Sequence, residues 1–211
     1  DASNGPVYVD ENAFIHPNAV IEGPVYIGET VTIKAGASIY ENVSIGKLCK
    51  IGGEVEDSVL LPYSNKQHAG FIGHSYLGSW VNLGADSNCS DLKNNYGTIK
   101  VQLNGKVVDT GSQFLGVIMG DHSKTAINTM FNTGTIVGFS CNIFGIGFPD
   151  KYIPSFSWGG SENLSTYELD KSMATAKIVM KRRDEELLPA NEKLFENIFK
   201  LTTEERNEQR N

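Results

Sequence analysis

The sequence predicts a left-handed parallel β-helix, wound from six-residue repeats of short strands, with helices at its C-terminal end. Apolar residues recur at every sixth position from Val9 to Ile51, and a small or β-branched residue stands two positions before each. Polar residues fill most positions between them. An amphipathic helix would repeat about every 3.6 residues and a coiled coil about every 3.5, so neither explains the series. At 211 residues, the chain can bury a substantial core.

The first block of repeats pairs a bulky position with a small one. The bulky positions are Val9, Ile15, Ile21, Ile27, Ile33, Ile39, Ile45 and Ile51. The small positions are Val7, Ala13, Ala19, Val25, Val31, Ala37, Val43 and Cys49. Residues two apart on a strand face the same side, so we expect both series to point inward. Three such strands would close a triangular coil of about eighteen residues.

Two breaks interrupt the repeats and are expected to leave the coil. Residues 54–67 lose the six-residue register, and we interpret them as a loop. In the second break, residues 91–116, strand-like sequence flanks Asn104-Gly105, which is typical of a β-hairpin with a type I′ turn. We expect this hairpin to project from the coil.

The repeats return after the hairpin, so the β-helix is predicted to span residues 1–145. Residues 146–211 are predicted to form a linker and C-terminal helices, at 167–183 and 190–200. Helices of this length are marginal alone in water, so they must pack on another surface. We expect that surface to be the last coil of the β-helix, on this subunit or on a neighbouring one.

Charge and composition narrow the classes of partner that the chain is expected to bind. The net charge of −7 argues against nucleic acid or an anionic membrane surface as a partner, since both require a basic field. The sequence has no apolar run of about eighteen residues and no basic-then-apolar leader, so no membrane span is expected. Cys49, Cys89 and Cys141 are far apart, which favours reduced thiols in the cytoplasm over a disulfide framework.

The flat faces of a triangular β-helix favour a closed homotrimer. Side chains would fill the axis of the coil, so a ligand site is expected in a groove between subunits. The two breaks would then form the walls of that groove.

The densest polar stretch lies between the breaks. It contains His68, then the segment His74-Ser75-Tyr76-Leu77-Gly78, then Val81-Asn82-Leu83-Gly84-Ala85, and it ends near Asp91 and Lys93. This stretch resembles the acetyltransferase domain of the bifunctional enzymes that acetylate glucosamine 1-phosphate and then uridylylate the product. The likeness is to the version found with archaeal or Bacteroidetes-type sugar-1-phosphate nucleotidylyltransferases, and it covers about residues 66–145. It implies N-acetyl transfer from acetyl-CoA to an amino-sugar 1-phosphate.

The resemblance implies a histidine base, either His74 or His68. In the family the histidine stands one residue further from the tyrosine than His74 does from Tyr76, and we favour His74. Histidine suits proton acceptance near neutral pH because its unperturbed pKa is about 6.5. Either residue could instead lie at a corner of the coil, with its ring nitrogens hydrogen-bonded to water.

Other site residues also follow from the resemblance. Asn82 would hydrogen-bond the substrate or the thioester oxygen, and Tyr76 and Lys93 would contact the sugar phosphate. Asp91 stands where relatives commonly carry Asn, which bears on substrate identity. A turn or amide ladder is the alternative for Asn82, and a solvated position is the alternative for Lys93.

Acetyl-CoA is expected along the later coils, through Ala126, Ile127 and Cys141. Backbone binding leaves little side-chain signature, and Cys141 also fits the inward small series, where packing is its alternative role. The basic run from Lys177 to Arg183 is either a solvated helix face or a contact for coenzyme phosphates.

Two further functions are compatible with this fold. A zinc enzyme would need three converging histidines, and His68 and His74, six residues apart, should lie on different sides of the coil, so no metal site is expected. The second alternative is a noncatalytic trimerisation or regulatory domain of a sugar nucleotidylyltransferase. Because the chain begins at Asp1, we expect nucleotidylyl transfer, if any, in a region N-terminal to it.

Overall fold

The computed structural model describes residues 1–103 and 105–208, which form a parallel β-helix with helices packed on its C-terminal coils. The strands in chain order are β1 (Val7–Val9), β2 (Phe14–Ile15), β3 (Val20–Ile21), β4 (Val25–Ile27), β5 (Thr32–Ile33), β6 (Ser38–Ile39), β7 (Val43–Ile45), β8 (Lys50–Ile51), β9 (Glu54–Glu56), β10 (Val59–Leu60), β11 (Asn65–Lys66), β12 (Phe71–Gly73), β13 (Tyr76–Leu77), β14 (Asn88–Cys89), β15 (Lys100–Leu103), β16 (Lys106–Asp109), β17 (Ile118–Met119), β18 (Lys124–Thr125), β19 (Met130–Phe131), β20 (Ile136–Val137), β21 (Asn142–Ile143), β22 (Tyr152–Ile153), β23 (Ser157–Gly159) and β24 (Leu164–Thr166). The helices are α1 (Leu169–Lys181), α2 (Pro189–Leu201) and α3 (Thr203–Glu208).

Apart from the hairpin strands β15 and β16 and the last strand β24, successive strands lie on three faces and pair in parallel with strands one coil away. The first face has the order β1-β4-β7-β10-β13-β17-β20-β22. The second face runs β2-β5-β8-β11, continues through bridges at Asn82, and ends with β18-β21-β23. The third face runs β3-β6-β9-β12 and then β14-β19, with β12 in contact with β14. The predicted parallel β-helix of hexapeptide repeats is confirmed.

The predicted inward series forms the core from the second coil onward. Ile27, Ile33 and Ile39 have no exposed area, and the same holds for the small-position residues Val31 and Ala37. Burial of one such isoleucine contributes about 1.5–3 kcal/mol to folding. The first coil is the exception. It lies at the end of the β-helix, and among the described residues no further coil of strands covers it on that end. Its inward residues are therefore more exposed, at 44% for Val9 and 38% for Ile15.

Residues 54–67 do not leave the coil, so the predicted loop is wrong. β9, β10 and β11 occupy the three faces in turn. The coil is shorter than the regular ones, since Val59 pairs with Ser44. Lys66 takes the inward position that pairs with Ile51, and its Nζ donates to the carbonyl oxygens of Gly52 and Gly70 at 2.9 and 2.5 Å. The six-residue apolar repeat is not visible in the sequence here, because the aliphatic stem of a lysine fills the core position.

The predicted hairpin in residues 91–116 is confirmed, since β15 and β16 pair antiparallel. Asn104, the first residue of the predicted turn, lies outside the described residues. The base of the hairpin is not free of the coil, because Ile99 and Val101 pack in one buried cluster with Ile136 of β20. The hairpin is therefore anchored on the first face.

The β-helix continues past the predicted end at residue 145. β22 pairs in parallel with β20, and β23 pairs in parallel with β21, which completes one more coil to Gly159. β24 then reverses direction against β23. The segment 145–160 was predicted as linker because its glycines and aromatic residues hide the repeat, although Ile153 is fully buried in the core.

The helices pack on the corner between the first and second faces. Side chains from successive coils stack there: the rings of Tyr63 and Trp80 lie 4.1 Å apart and nearly parallel, and His122 follows Trp80. Phe195 of α2 contacts His122, with 5.1 Å between ring centroids. Helices in this region are confirmed, and in the described part of the chain none has both the length and the apolar character to cross a membrane.

His122 is enclosed by this aromatic corner. Its imidazole is buried, and its Nδ1 has no hydrogen-bond partner among the described residues. Burial, and to a smaller extent the charge of Lys124, lowers the pKa of His122 to about 3. The imidazole is therefore neutral in the folded protein at any ordinary pH.

We predict that His122 makes folding stability depend on pH. Its pKa is lower in the folded chain than in the unfolded chain, so the unfolded chain binds the extra proton below about pH 6.5. The stabilisation is complete above that pH and is lost as the pH falls toward 3. Between pH 7 and 5 this group alone should remove about 2 kcal/mol, and urea unfolding at both values measures it.

The control separates His122 from the other titrating groups. His122→Phe should reduce the loss of stability between pH 7 and 5, whereas His68→Asn, at an exposed position, should leave it unchanged. Equal pH dependence in the wild type and in His122→Phe would contradict the prediction.

Candidate functional site

A ladder of polar side chains occupies the corner between the third and first faces. Asn42, Asp57 and His74 take this corner in three successive coils, and all three have positive φ, at 60°, 41° and 47°. Nδ2 of Asn42 donates to Oδ1 of Asp57 at 2.9 Å. Because each coil places its corner residue over the previous one, residues far apart in sequence become neighbours.

His74 is held by Asp91 from the following coil. Nδ1 of His74 lies 2.8 Å from Oδ2 of Asp91, and Nε2 lies 3.6 Å from Oδ2 of Asp57. A neutral imidazole that donates from Nδ1 to a carboxylate keeps a lone pair on Nε2. The side chains of His74, Asp91 and Asp57 are 27%, 13% and 31% exposed, so solvent and ligands reach the imidazole.

The returning end of the hairpin excursion forms one wall of this site. The ring of Phe114 stacks on the imidazole of His74 with 4.8 Å between centroids. The backbone N–H of Gly116 donates to the carbonyl oxygen of His74, and that of Leu115 donates to the carbonyl oxygen of Asp91, both at 2.9 Å. The second break therefore fixes both members of the pair.

Glu56 adds a third carboxylate to the site. Burial raises the pKa of Glu56, the charges of Asp91 and Asp57 raise it further, and the charge of His74 partly offsets this. A Cβ on Gly73 would lie 2.5 Å from Oδ2 of Asp91 and 3.1 Å from Oε1 of Glu56, so glycine leaves room for both carboxylates. Three carboxylates beside one imidazole favour a cationic ligand such as an ammonium group.

One group of side chains in the described chain could hold a metal ion. Ligand atoms of Glu56, His74 and Asp91 all lie within 4.8 Å of one another. Two oxygen ligands and one nitrogen ligand suit several divalent cations. This group contains a single histidine, so it differs from the three-histidine arrangement of the zinc enzyme considered above.

The structure separates the two candidate bases. His68 is exposed at the corner between the second and third faces, and its carbonyl oxygen accepts a hydrogen bond from Lys66 at 3.2 Å. Its imidazole has no carboxylate partner in the described part of the chain. His74 is thus the histidine whose ring is oriented by a carboxylate, with Nε2 outside hydrogen-bond distance of Asp57, at 3.6 Å.

Asn82 does not lie beside His74, contrary to the grouping predicted from the sequence. It stands on the second face, where it bridges Asn65 and Lys124, and Nδ2 of Asn65 donates to Oδ1 of Asn82 at 3.4 Å. The amide ladder that the sequence allowed is therefore what forms. Tyr76 lies on the first face, two residues after His74, and is 43% exposed.

Lys93 lies at the foot of the hairpin excursion. Its Nζ donates to the carbonyl oxygen of Thr98, and the residue lines a shallow depression of about 430 Å³ together with Asn95 and Asn132. Ser90 and Leu92, the neighbours of Asp91 in sequence, line the same depression. A polar pocket with one lysine therefore adjoins the segment that carries Asp91.

The three predicted coenzyme residues differ in exposure. Ala126 and Ile127 follow β18 at the corner between the second and third faces, where Ile127 is 67% exposed. Cys141 is 1% exposed, and burial raises the pKa of its thiol to about 12. The thiol of Cys141 thus packs inside the coil, which is the alternative role given for it, and a coenzyme contact at this position stays a prediction for its backbone alone.

Sequence reasoning missed Glu56, Asp57 and Phe114, which lie in or beside the predicted breaks. A signal for Asp57 was present: it precedes His74 by seventeen residues, and Asp91 follows His74 by the same number. That spacing is close to one coil. Carboxylates one coil before and one coil after a corner histidine therefore mark the site.

Comparisons with known proteins agree with the repeat and the motifs. Residues 6–40 match the family described as "Bacterial transferase hexapeptide (six repeats)". The chain is 32% identical over 97 residues to a bifunctional sugar-1-phosphate nucleotidylyltransferase/acetyltransferase of Sulfurisphaera tokodaii, which covers 45% of this chain and 24% of that protein. It is 38% identical over 136 residues to the bifunctional protein GlmU of Methanococcus maripaludis, which covers 64% of this chain and 33% of that protein.

A third relative is the bifunctional protein GlmU of Methanocaldococcus jannaschii, 31% identical over 115 residues, which covers 54% of this chain and 27% of that protein. The resemblance inferred from the motifs is confirmed by these relatives, of which the chain spans about a quarter to a third. A solved mutant of AntD, an N-acyltransferase from Bacillus cereus in complex with dTDP and coenzyme A, aligns with a TM-score of 0.48 and 14% identity. That alignment covers 83% of this chain and 90% of AntD.

Proposed function

We propose that the chain is an acetyl-CoA-dependent N-acetyltransferase that acts on an amino-sugar 1-phosphate, with His74 as the general base. One observation carries the proposal: Nδ1 of His74 lies 2.8 Å from Asp91, which orients the partly exposed imidazole and leaves Nε2 outside hydrogen-bond distance of Asp57, at 3.6 Å. The name of the Sulfurisphaera tokodaii relative includes acetyltransferase, and this supports the reaction class. We assign the nucleotidylyl transfer in the same name to residues outside this chain.

The reaction needs one proton acceptor and a group that stabilises the acceptor's charge. The amine of the sugar attacks the thioester carbonyl, a C–N bond forms, the C–S bond breaks, and coenzyme A leaves as a thiolate. Nε2 of His74 takes the proton released from the attacking nitrogen and can pass it to the thiolate. The carboxylate of Asp91 stabilises the imidazolium and keeps the ring oriented.

The other groups of the two substrates are assigned to residues around the site. The carboxylates of Asp57 and Glu56 provide a negative field that attracts the ammonium form of the amino sugar. We assign the sugar phosphate to Lys93 and Tyr76, and the coenzyme to the outer surface near Ala126 and Ile127. The field repels phosphate from the imidazole itself, which suits an acceptor whose amine and phosphate lie at opposite ends.

We also propose a cytoplasmic homotrimer. Outward residues of the first face form an apolar stripe, with Tyr8, Tyr26, Val59 and Tyr76 exposed by 57%, 40%, 38% and 43%. Such a stripe on a flat sheet suits contact with symmetric copies of the chain. All three cysteines are free and buried, which supports a reducing compartment.

The proposed activity predicts a specific loss in one variant. With acetyl-CoA and glucosamine 1-phosphate, the wild type should release thiol, and His74→Asn should lower kcat by at least about 100-fold because the base is gone. Release of coenzyme A can be followed with a thiol reagent across a panel of amino-sugar phosphates.

His68→Asn is the matched control and should keep wild-type turnover. EDTA should have no effect, since the proposed step uses the imidazole and not a metal held by Glu56, His74 and Asp91. Thiol release by His74→Asn at the wild-type rate would disprove the base assignment. No release with any acceptor would favour the noncatalytic domain.

The trimer proposal predicts a mass near three times the 23.0 kDa of the chain in light scattering coupled to size exclusion. Val59→Asp should shift the mass toward the monomer, because a charge in the apolar stripe opposes burial. Met130→Asp, on the outward side of the third face and equally exposed at 38%, should leave the mass unchanged. A monomeric wild type, or dissociation by Met130→Asp alone, would contradict the assignment of the first face.

A further inference from the structure

A groove with four cationic side chains lies between the second face and the end of α1. Its floor is formed by Lys50, Asn65, Asn82 and Lys124, and its wall by Arg182 and Arg183, which follow α1. The groove has a volume of about 490 Å³. We call these six residues and the space they enclose the cationic groove.

The floor of the cationic groove is a ladder set by strand register. Lys50 pairs with Asn65, Asn65 bridges to Asn82, and Asn82 bridges to Lys124. Neighbouring strands lie about 4.8 Å apart, so the ladder extends roughly 14 Å from the first lysine to the second. Two asparagines thus lie in line between two lysines.

No carboxylate neutralises these cations. Among residues 1–103 and 105–208, none of the four forms an ion pair within 4.0 Å. Arg183 is held by neutral acceptors, the carbonyl oxygen of Leu48 at 3.3 Å and Oδ1 of Asn65 at 3.0 Å. By contrast, Lys177 of α1 pairs with Glu192.

The positively charged side chains of the cationic groove repel one another. The charge of Arg183 is the largest cause that lowers the pKa of Lys50, followed by burial and by the charges of Lys34 and Arg182. Burial lowers the pKa of Lys124 to about 8, and its Nζ donates to the carbonyl oxygen of His122 at 2.8 Å. In a chain of net charge −7, this concentration of positive charge is maintained at a cost that a bound anion would offset.

Two negative groups of the protein itself lie near the groove, and they balance only part of its charge. The C-terminal end of α1 has a partial negative charge of roughly half a unit, which can balance a fraction of one arginine. Glu185 is the nearby acid, but its Oε1 accepts a hydrogen bond from the hydroxyl of Tyr63 at 2.5 Å and makes no ion pair with the groove among the described residues. Most of the positive charge therefore faces solvent inside a concave site.

We propose that the cationic groove binds a phosphorylated small molecule, with its phosphate on Lys50, Arg182 and Arg183 and its polar remainder on Asn65 and Asn82. Guanidinium groups match phosphate oxygens with paired hydrogen bonds, and amides both donate to and accept from hydroxyl groups. The volume lies within the usual range for small-molecule sites. The groove is on a different face from His74, whose three carboxylates would repel a phosphate.

The experiment measures binding of inorganic pyrophosphate to the full chain by calorimetry. We expect one site per chain, and we expect Lys50→Gln and Arg182→Gln each to weaken binding by about tenfold. Lys181→Gln is the matched control, because it removes the same charge from the adjacent residue, which does not line the groove. It should change affinity less than twofold.

Separate titrations identify the source of the phosphate. Coenzyme A binding more tightly than 3′-dephospho-coenzyme A, and losing that difference in Lys50→Gln, supports the proposal with a coenzyme as ligand. Glucosamine 1-phosphate binding that is weakened by Asn82→Ala, without loss of pyrophosphate binding, supports it with a sugar phosphate as ligand, and would move the sugar phosphate from Lys93 and Tyr76 to the groove. His74→Asn should keep pyrophosphate binding, so this site can be established even if the proposed acetyl transfer fails.

Two results would overturn the proposal. The first is the absence of pyrophosphate binding at millimolar concentration in low salt. The second is equal weakening by Lys181→Gln and Lys50→Gln, which would show attraction to the general positive surface of the helix end. Circular dichroism of each variant checks that the fold is retained.

Discussion

The parallel register between one coil and the next is the constraint on which the whole structure depends. Strands of the coil hydrogen-bond the strands about one coil earlier. The register of this pairing therefore decides which side chains are neighbours at the outward positions. A slip by one residue would turn each inward isoleucine outward, and this fixes the register strongly wherever the core is apolar. The same ladder that buries Ile27, Ile33 and Ile39 also decides which polar side chains meet on the surface.

Two surface ladders of opposite charge follow from this register. At one corner, Asn42, Asp57 and His74 stack and are completed by Asp91, which produces an acidic site around an imidazole. On the second face, Lys50 and Lys124 flank a pair of asparagines under the end of α1. The first arrangement suits an amine that must lose a proton, and the second suits an anion. The coil thereby keeps two incompatible electrostatic environments on separate surfaces of one chain.

The sequence predicts the fold well because the core series is regular over most of the coil. It fails where the core residue is not aliphatic: Lys66 hides the coil at 54–67, and the aromatic segment after Gly145 hides the last coil. His74 and Asp91 were both identified as site residues, but their pairing depends on a coil spacing of seventeen residues that the regular repeat does not show. Asp57 was missed because it fell in the supposed loop.

The central claim is that coil register makes His74 a base by directing Nδ1–H to Asp91 and leaving the lone pair of Nε2 available to the substrate, beside Asp57. The tautomer of the neutral His74 imidazole tests this most directly. It can be read from long-range ¹H–¹⁵N NMR spectra and assigned by loss of the signals in His74→Asn. The account predicts the Nδ1–H tautomer in the intact protein and loss of that preference in Asp91→Asn. A neutral His74 protonated on Nε2 in the intact protein would contradict it.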